Sequence, residues 1–288
     1  MATTITIEDI VKKTTDLPSL PAAALKVIRD SDDPAVSASM LAESIAQDQA
    51  LSVRVLRLAN SAYYGLSRQV VDLSEAVIVL GMRSVRNLSM VAATYPWLIR
   101  PLPGYCLGPK AMWSHAIGVA IGAQQTASVA KLPSPEAAFT AGLLHDLGKT
   151  AMNVWLEDKI GQMTSIALRE ERTFDAVERM VLGFDHTEVG AYLAEQWNLP
   201  SRLILAVRYH HDPSACPERE PIVDCVHVAD YLTMAMGFGL GCDGLKYEFN
   251  SEALVRLGIG TQDLDRMTDE FVSEYERQEA LFEELAAA

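Results

Sequence analysis

The segment Gly142-Leu-Leu-His145-Asp146-Leu-Gly-Lys149 sets an imidazole beside a carboxylate. Such a pair offers a metal two ligands of different hardness from one short stretch. Imidazole suits zinc, iron and related ions, and a carboxylate can bridge two of them. Lys149 follows one helical turn later, so its ammonium can face the same side and pair with Asp146 or with a phosphate. His115 lies in the apolar run AMWSHAIGVAIGA, where a buried polar ring needs a partner. His186 stands at the start of a helix, ahead of Thr187-Glu188, and His210-His211 close the helix RLILAVRY. Asp230 sits in VHVADYLTMAM, and a carboxylate in so apolar a helix calls for a partner or a cation.

Each of these residues also has a plainer reading. The His145-Asp146 pair can bridge helices, and His115 can be a satisfied core histidine. His186 can be a helix-entry residue, and His210-His211 can interact with a helix C-terminus, which favours imidazolium. Asp230 can accept a hydrogen bond from a neighbouring helix or from His227 one turn before it. His227 itself reads as structural or as support for a ligand.

The elements that must position these groups are helical, because apolar residues recur at helical spacing and hairpin signals are scarce. Helices are expected over 22–30, 37–45, 49–60, 74–80 (capped by Ser74) and 84–94, with Gly81 as an interruption. Asn60 and Gly65 stop a helix, and Tyr63 and Tyr64 are expected to pack the lobes together. Further helices are expected over 111–130, 135–155, 157–169, 173–182, 187–197, 201–210 and 221–236. Residues 95–110 form the best internal boundary, and Gly-rich 237–244 is a second connector. The tail 251–286 holds two more helices, whose Phe271, Tyr275 and Leu281 can dock on the body or on a partner. The expected fold is all-α, with two packed helical lobes. Residues 1–100 form an N-terminal lobe, 101–240 a helical core and 241–288 a helical tail.

The net charge of −14 opposes non-specific attraction to nucleic acid, and a phosphate site would need a local cation. No stretch is expected to reach the ~20 apolar residues that span a bilayer. The first 21 residues lack the pattern of a signal peptide. Four dispersed cysteines without a C-x-x-C pair point to a reducing, cytoplasmic setting with no membrane association.

Several motifs in order give a resemblance. Leu17-Pro-Ser-Leu-Pro21, Asp48 with Ala50-Leu51, Arg57-Leu-Ala-Asn-Ser-Ala-Tyr-Tyr-Gly65 and Ala76-Val-Ile-Val-Leu-Gly81 resemble the N-terminal lobe of the HDOD (HD-related output domain) family. Ala141 to Lys149, Phe184-Asp-His186 with Val189-Gly190, and Trp197-Asn-Leu-Pro200 with His210-His211 resemble its second, HD-like lobe. The resemblance covers roughly residues 16 to 240. It implies a metal-ligand set of His115, His145, Asp146, His186, His210, His211 and Asp230, with Lys149 as the lysine after the His-Asp pair. Its implied cofactor is a divalent metal, one ion or two, of iron, manganese or zinc. The related HD-GYP phosphodiesterases continue after their paired histidines with a Gly-Tyr-Pro element. Here His211 is followed by Asp212-Pro-Ser-Ala-Cys-Pro217, which argues against cyclic di-GMP hydrolysis.

Two functions follow from the resemblance. One is a signal-transduction output module whose partners are signalling or regulatory proteins. The other is a metal-dependent phosphohydrolase acting on a phosphate-containing small molecule, with Asp146 and Lys149 as catalytic groups. Neither takes nucleic acid directly.

Overall fold

The structure, a computed structural model, describes residues 5–13, 20–30 and 35–286. Leu17 to Ser19 and the Asp33-Pro34 break lie outside them. Apart from an isolated bridge between Leu102 and Leu107, every regular element among the described residues is helical.

The chain opens with α1 (Ile7–Lys13), a helix without a sequence expectation, which packs against α8 (Leu147–Leu156) and α11 (His186–Gln196) of the second lobe. The N-terminal lobe is built by α2 (Ala22–Asp30), α3 (Ala38–Ala46), α4 (Gln49–Ala59) and α5 (Leu73–Leu98). The cap of α5 is Asp72, not Ser74: its carboxylate accepts from the Glu75 amide at 2.8 Å. Gly81 takes φ 81° and kinks the helix, as its position in the sequence suggests. The helix then runs through Pro96 to Leu98, past the expected boundary at 95. Proline removes the amide that would bond Ala92, and the Arg54 guanidinium supplies a replacement donor to that carbonyl at 3.1 Å. A stretch of α5 also has the length and mean hydropathy (1.3) of a spanning segment, contrary to the sequence expectation. Half of that stretch is buried in the protein, where α5 packs on α2, α3 and α4.

The second lobe turns about α6 (Ala111–Val129), which buries residues on all its faces and packs most extensively against α7 (Pro135–Leu144) and α13 (Pro221–Ala235). The expected single helix 135–155 is two: α7 ends at Leu144 and α8 starts at Leu147, so His145-Asp146 occupies the break. Then come α9 (Ile160–Glu170), α10 (Phe174–Leu182), α11 and α12 (Ser201–Tyr209). The 237–244 connector leads through a 3₁₀ turn, Cys242–Leu245, into α14 (Glu252–Leu257) and α15 (Thr261–Ala286). The tail docks on the body. Phe271, Tyr275 and Leu281 are buried, Phe238 stacks on Tyr275 at 4.0 Å, and α15 lies against α6 and α4.

Candidate metal centre

All seven sequence-derived ligand candidates converge. His115 comes from the middle of α6, His145 and Asp146 from the α7–α8 break, and His186 from the first turn of α11. His210 and His211 follow the end of α12, and Asp230 projects from α13. All are buried except His211, which is half-buried.

Asp146 divides the cluster in two. Its Oδ2 lies 3.2 Å from His145 Nε2 and 3.6 Å from His115 Nε2, and His115 Nε2 is 3.2 Å from Asp230 Oδ1. Its Oδ1 lies 3.4 Å from His186 Nε2 and 3.6 Å from His210 Nε2, while His186 and His211 face each other at 3.0 Å. One carboxylate thus addresses two nests of ligand atoms.

Helix ends set the ring orientations. His145 and His210 each terminate a helix, where backbone carbonyls lack intrahelical donors. Each turns its Nδ1–H back onto the carbonyl three residues earlier, Gly142 at 2.7 Å and Val207 at 2.9 Å. That fixes the tautomer and leaves Nε2 as a lone-pair donor aimed at the cluster. His186 is placed by a capping box, in which Asp185 accepts from the Glu188 amide and Glu188 reaches back to Asp185.

Close approach brings α8 and α11 together. A Cβ on Gly148 would lie 1.9 Å from the His186 carbonyl oxygen, and one on Gly142 would lie 2.7 Å from that of Val119. The two glycines flanking the His-Asp pair therefore let its helices touch their neighbours backbone to backbone.

Sequence reasoning missed three supporting carboxylate and hydroxyl groups, on Glu178, Tyr247 and Asp243. Glu178 on α10 is fully buried, accepts from His186 Nδ1 at 2.7 Å and from its amide at 2.9 Å, and takes the Tyr105 hydroxyl at 2.6 Å. Tyr247 donates to Asp230 Oδ2 at 2.7 Å. Asp243 accepts from Lys149 Nζ at 2.5 Å, as Asp146 does, also at 2.5 Å. His227, read as support, donates to the His210 carbonyl at 2.7 Å and accepts from the Asn250 amide at 2.9 Å.

Two of the carboxylates, Asp146 and Asp243, hold the Lys149 ammonium, while Glu178 and Asp230 face histidine rings and draw protons onto them. Burial alone would strip the proton from His115, but Asp230 and Asp146 outweigh it and raise its pKa above the usual histidine value. For His186 burial is likewise overcome, by Glu178, and the pKa is pushed up to about 9. Burial and the neighbouring rings instead press His210 down to about 3 and His211 well below the ordinary range. Burial would raise Asp146, yet His145 and Lys149 hold it well below the carboxylate range.

The residues fit a cation. His145 Nε2, His210 Nε2 and Asp146 Oδ1 are buried and make no hydrogen bond of acceptable geometry, an expensive state for three inward-pointing polar atoms. They are lone-pair donors of the types that bind zinc, iron or manganese. A cavity of about 950 Å³, bordered by Lys149, His186, His211, Asp230 and Tyr247, opens onto the cluster.

The HDOD domain profile matches residues 17–213. The chain belongs to the HDOD family. An HDOD domain protein with unknown function from Geobacter sulfurreducens, solved by crystallography, is 26% identical and matches 96% of this chain and 94% of its own with a TM-score of 0.71. A candidate signal transduction protein from Marinobacter aquaeolei VT8 is 22% identical with a TM-score of 0.76, over 96% of this chain and 61% of its own. At that identity it shows a shared HDOD fold alone. An uncharacterised protein of Treponema pallidum (strain Nichols) is 29% identical over 236 residues. That alignment takes in 79% of this HDOD chain, which spans less than half (44%) of that relative.

Proposed function

We propose that this protein is a regulatory output module of the HDOD type whose second lobe holds a divalent metal pair, and that it acts through contacts with other signalling proteins in the cytoplasm. The observation that carries the metal reading is the division of ligands by Asp146. Its Oδ2 lies with His115 and His145, and its Oδ1 with His186, His210 and His211; Asp230 meets His115 and His145 and also groups with His210.

The regulatory reading is favoured over turnover by Lys149. Its ammonium is already paired with both Asp146 and Asp243, so two of its three donors are engaged and a phosphate would compete with two carboxylates for it. The Tyr247 hydroxyl likewise engages Asp230. The second reading, a phosphohydrolase, is favoured by the cavity, whose volume suits a small phosphoester. Divalent ions there would supply Lewis acidity to a phosphate oxygen and lower the pKa of a water molecule. In that reading Asp146 and the histidines would hold the ions, and Lys149 would meet charge on the phosphate.

Metal analysis of protein purified without chelators, with a phosphoester and cyclic-dinucleotide screen, tests both. The expected result is two equivalents of metal per chain, lost in Asp146→Ala, and no turnover. Hydrolysis abolished by Asp146→Ala would instead establish the enzyme, and protein that takes up no metal would end both readings.

A further inference from the structure

The two nests of ligand atoms are supported unequally. Around Asp146 Oδ2, His145 leans on a neutral carbonyl, and the outer nitrogen of His115 has no hydrogen-bond partner. Around Oδ1, His186 leans on the carboxylate of Glu178, which is entirely buried and fixed from behind by the Tyr105 hydroxyl. A carboxylate behind a ligating imidazole locks its tautomer and raises its basicity, and loss of such a partner commonly costs about 10- to 100-fold in metal affinity.

We infer that Glu178 is the positioning residue of one metal position only, the one formed by Asp146 Oδ1, His186, His210 and His211, and that the other position is independent of it. This rests on the metal reading above. A buried carboxylate is costly unless fully paired, and the partners of Glu178 are a tyrosine hydroxyl and the ring and amide of His186. Arg179, the next residue, turns instead to Asp175 and Asp185. The acid is held in place for one imidazole.

Glu178→Gln is the sharp variant. An amide oxygen at the same place can still accept from the His186 ring and amide, so the change removes charge rather than shape. Cobalt(II) is titrated into metal-free wild-type protein and into Glu178→Gln by calorimetry, and anomalous maps locate the ions. The expected outcome is two ions in the wild type. In Glu178→Gln the ion on the Oδ1 side weakens about 10- to 100-fold, while the ion on the Oδ2 side keeps its affinity. Tyr105→Phe loosens Glu178 without removing its charge and should give a smaller loss confined to the same position. It also serves as the test if Glu178→Gln unfolds. Two ions of wild-type affinity in both variants, or equal weakening of both positions, would overturn the role of Glu178 while leaving the metal reading intact. A wild type that takes up no cobalt would remove both.

Discussion

At the scale of single residues, the centre is a set of buried charges whose balance depends on what cation is present. In the metal-free protein the cation is partly a proton on His186. Its pKa of about 9 exceeds the ordinary 6.5 because Glu178 and Asp146 outweigh burial and Lys149. A raised folded-state pKa stabilises the protonated form, so this contribution is complete below pH 6.5 and is lost as the pH climbs through about 9. Metal-free protein is therefore expected to melt at progressively lower temperature across that window, and Glu178→Gln should flatten the decline in a series of thermal scans. Metal affinity should rise over the same window, since a ligand must lose its proton to bind. The Lys149 clamp gives a separate expectation. Asp243→Asn removes one of its two carboxylates, and inorganic phosphate should then bind more tightly than to wild type, measured by calorimetry. An unchanged or weaker affinity would show that Asp243 does not restrain the lysine.

At the scale of elements, the helices carrying ligands are legible in sequence because their apolar spacing is strong, as in 111–130 and 221–236. The break at His145-Asp146 is not. Neither residue is a helix breaker, and the flanking Gly142 and Gly148 look tolerable within one helix. Their purpose appears only when α6 and α11 lie against them, a contact between segments distant in the chain. Gly148→Ala is expected to push α8 from α11 and to destabilise the protein by about 3 kcal/mol, read as a shifted denaturant midpoint. Glu178 escaped notice for a similar reason: on α10 it is one acid among charged neighbours, and only the fold reveals that it is entirely enclosed. Tyr247 lies in irregular chain and Asp243 in a single 3₁₀ turn, where no periodicity says which way a side chain faces. The convergence of the seven candidate residues was legible because several sequence motifs mark them together.

At the scale of the whole molecule, the tail joins the two lobes, a role the sequence left open between body and partner. Phe271 lies against Gly122 of α6, the helix that also carries His115. Phe271→Ala is expected to cost about 3–5 kcal/mol and to lower the melting temperature with or without metal, since the loss is one of packing. A variant as stable as wild type would mean that α15 is not docked in solution. The interruption between α7 and α8 has a mechanical consequence. One rod is braced by α5, α6, α12 and α13, the other by α1, α11 and the turn at Pro103–Tyr105. The His-Asp pair is thus the joint between two differently anchored levers, and any force exerted on that carboxylate is divided between two separate sets of helices.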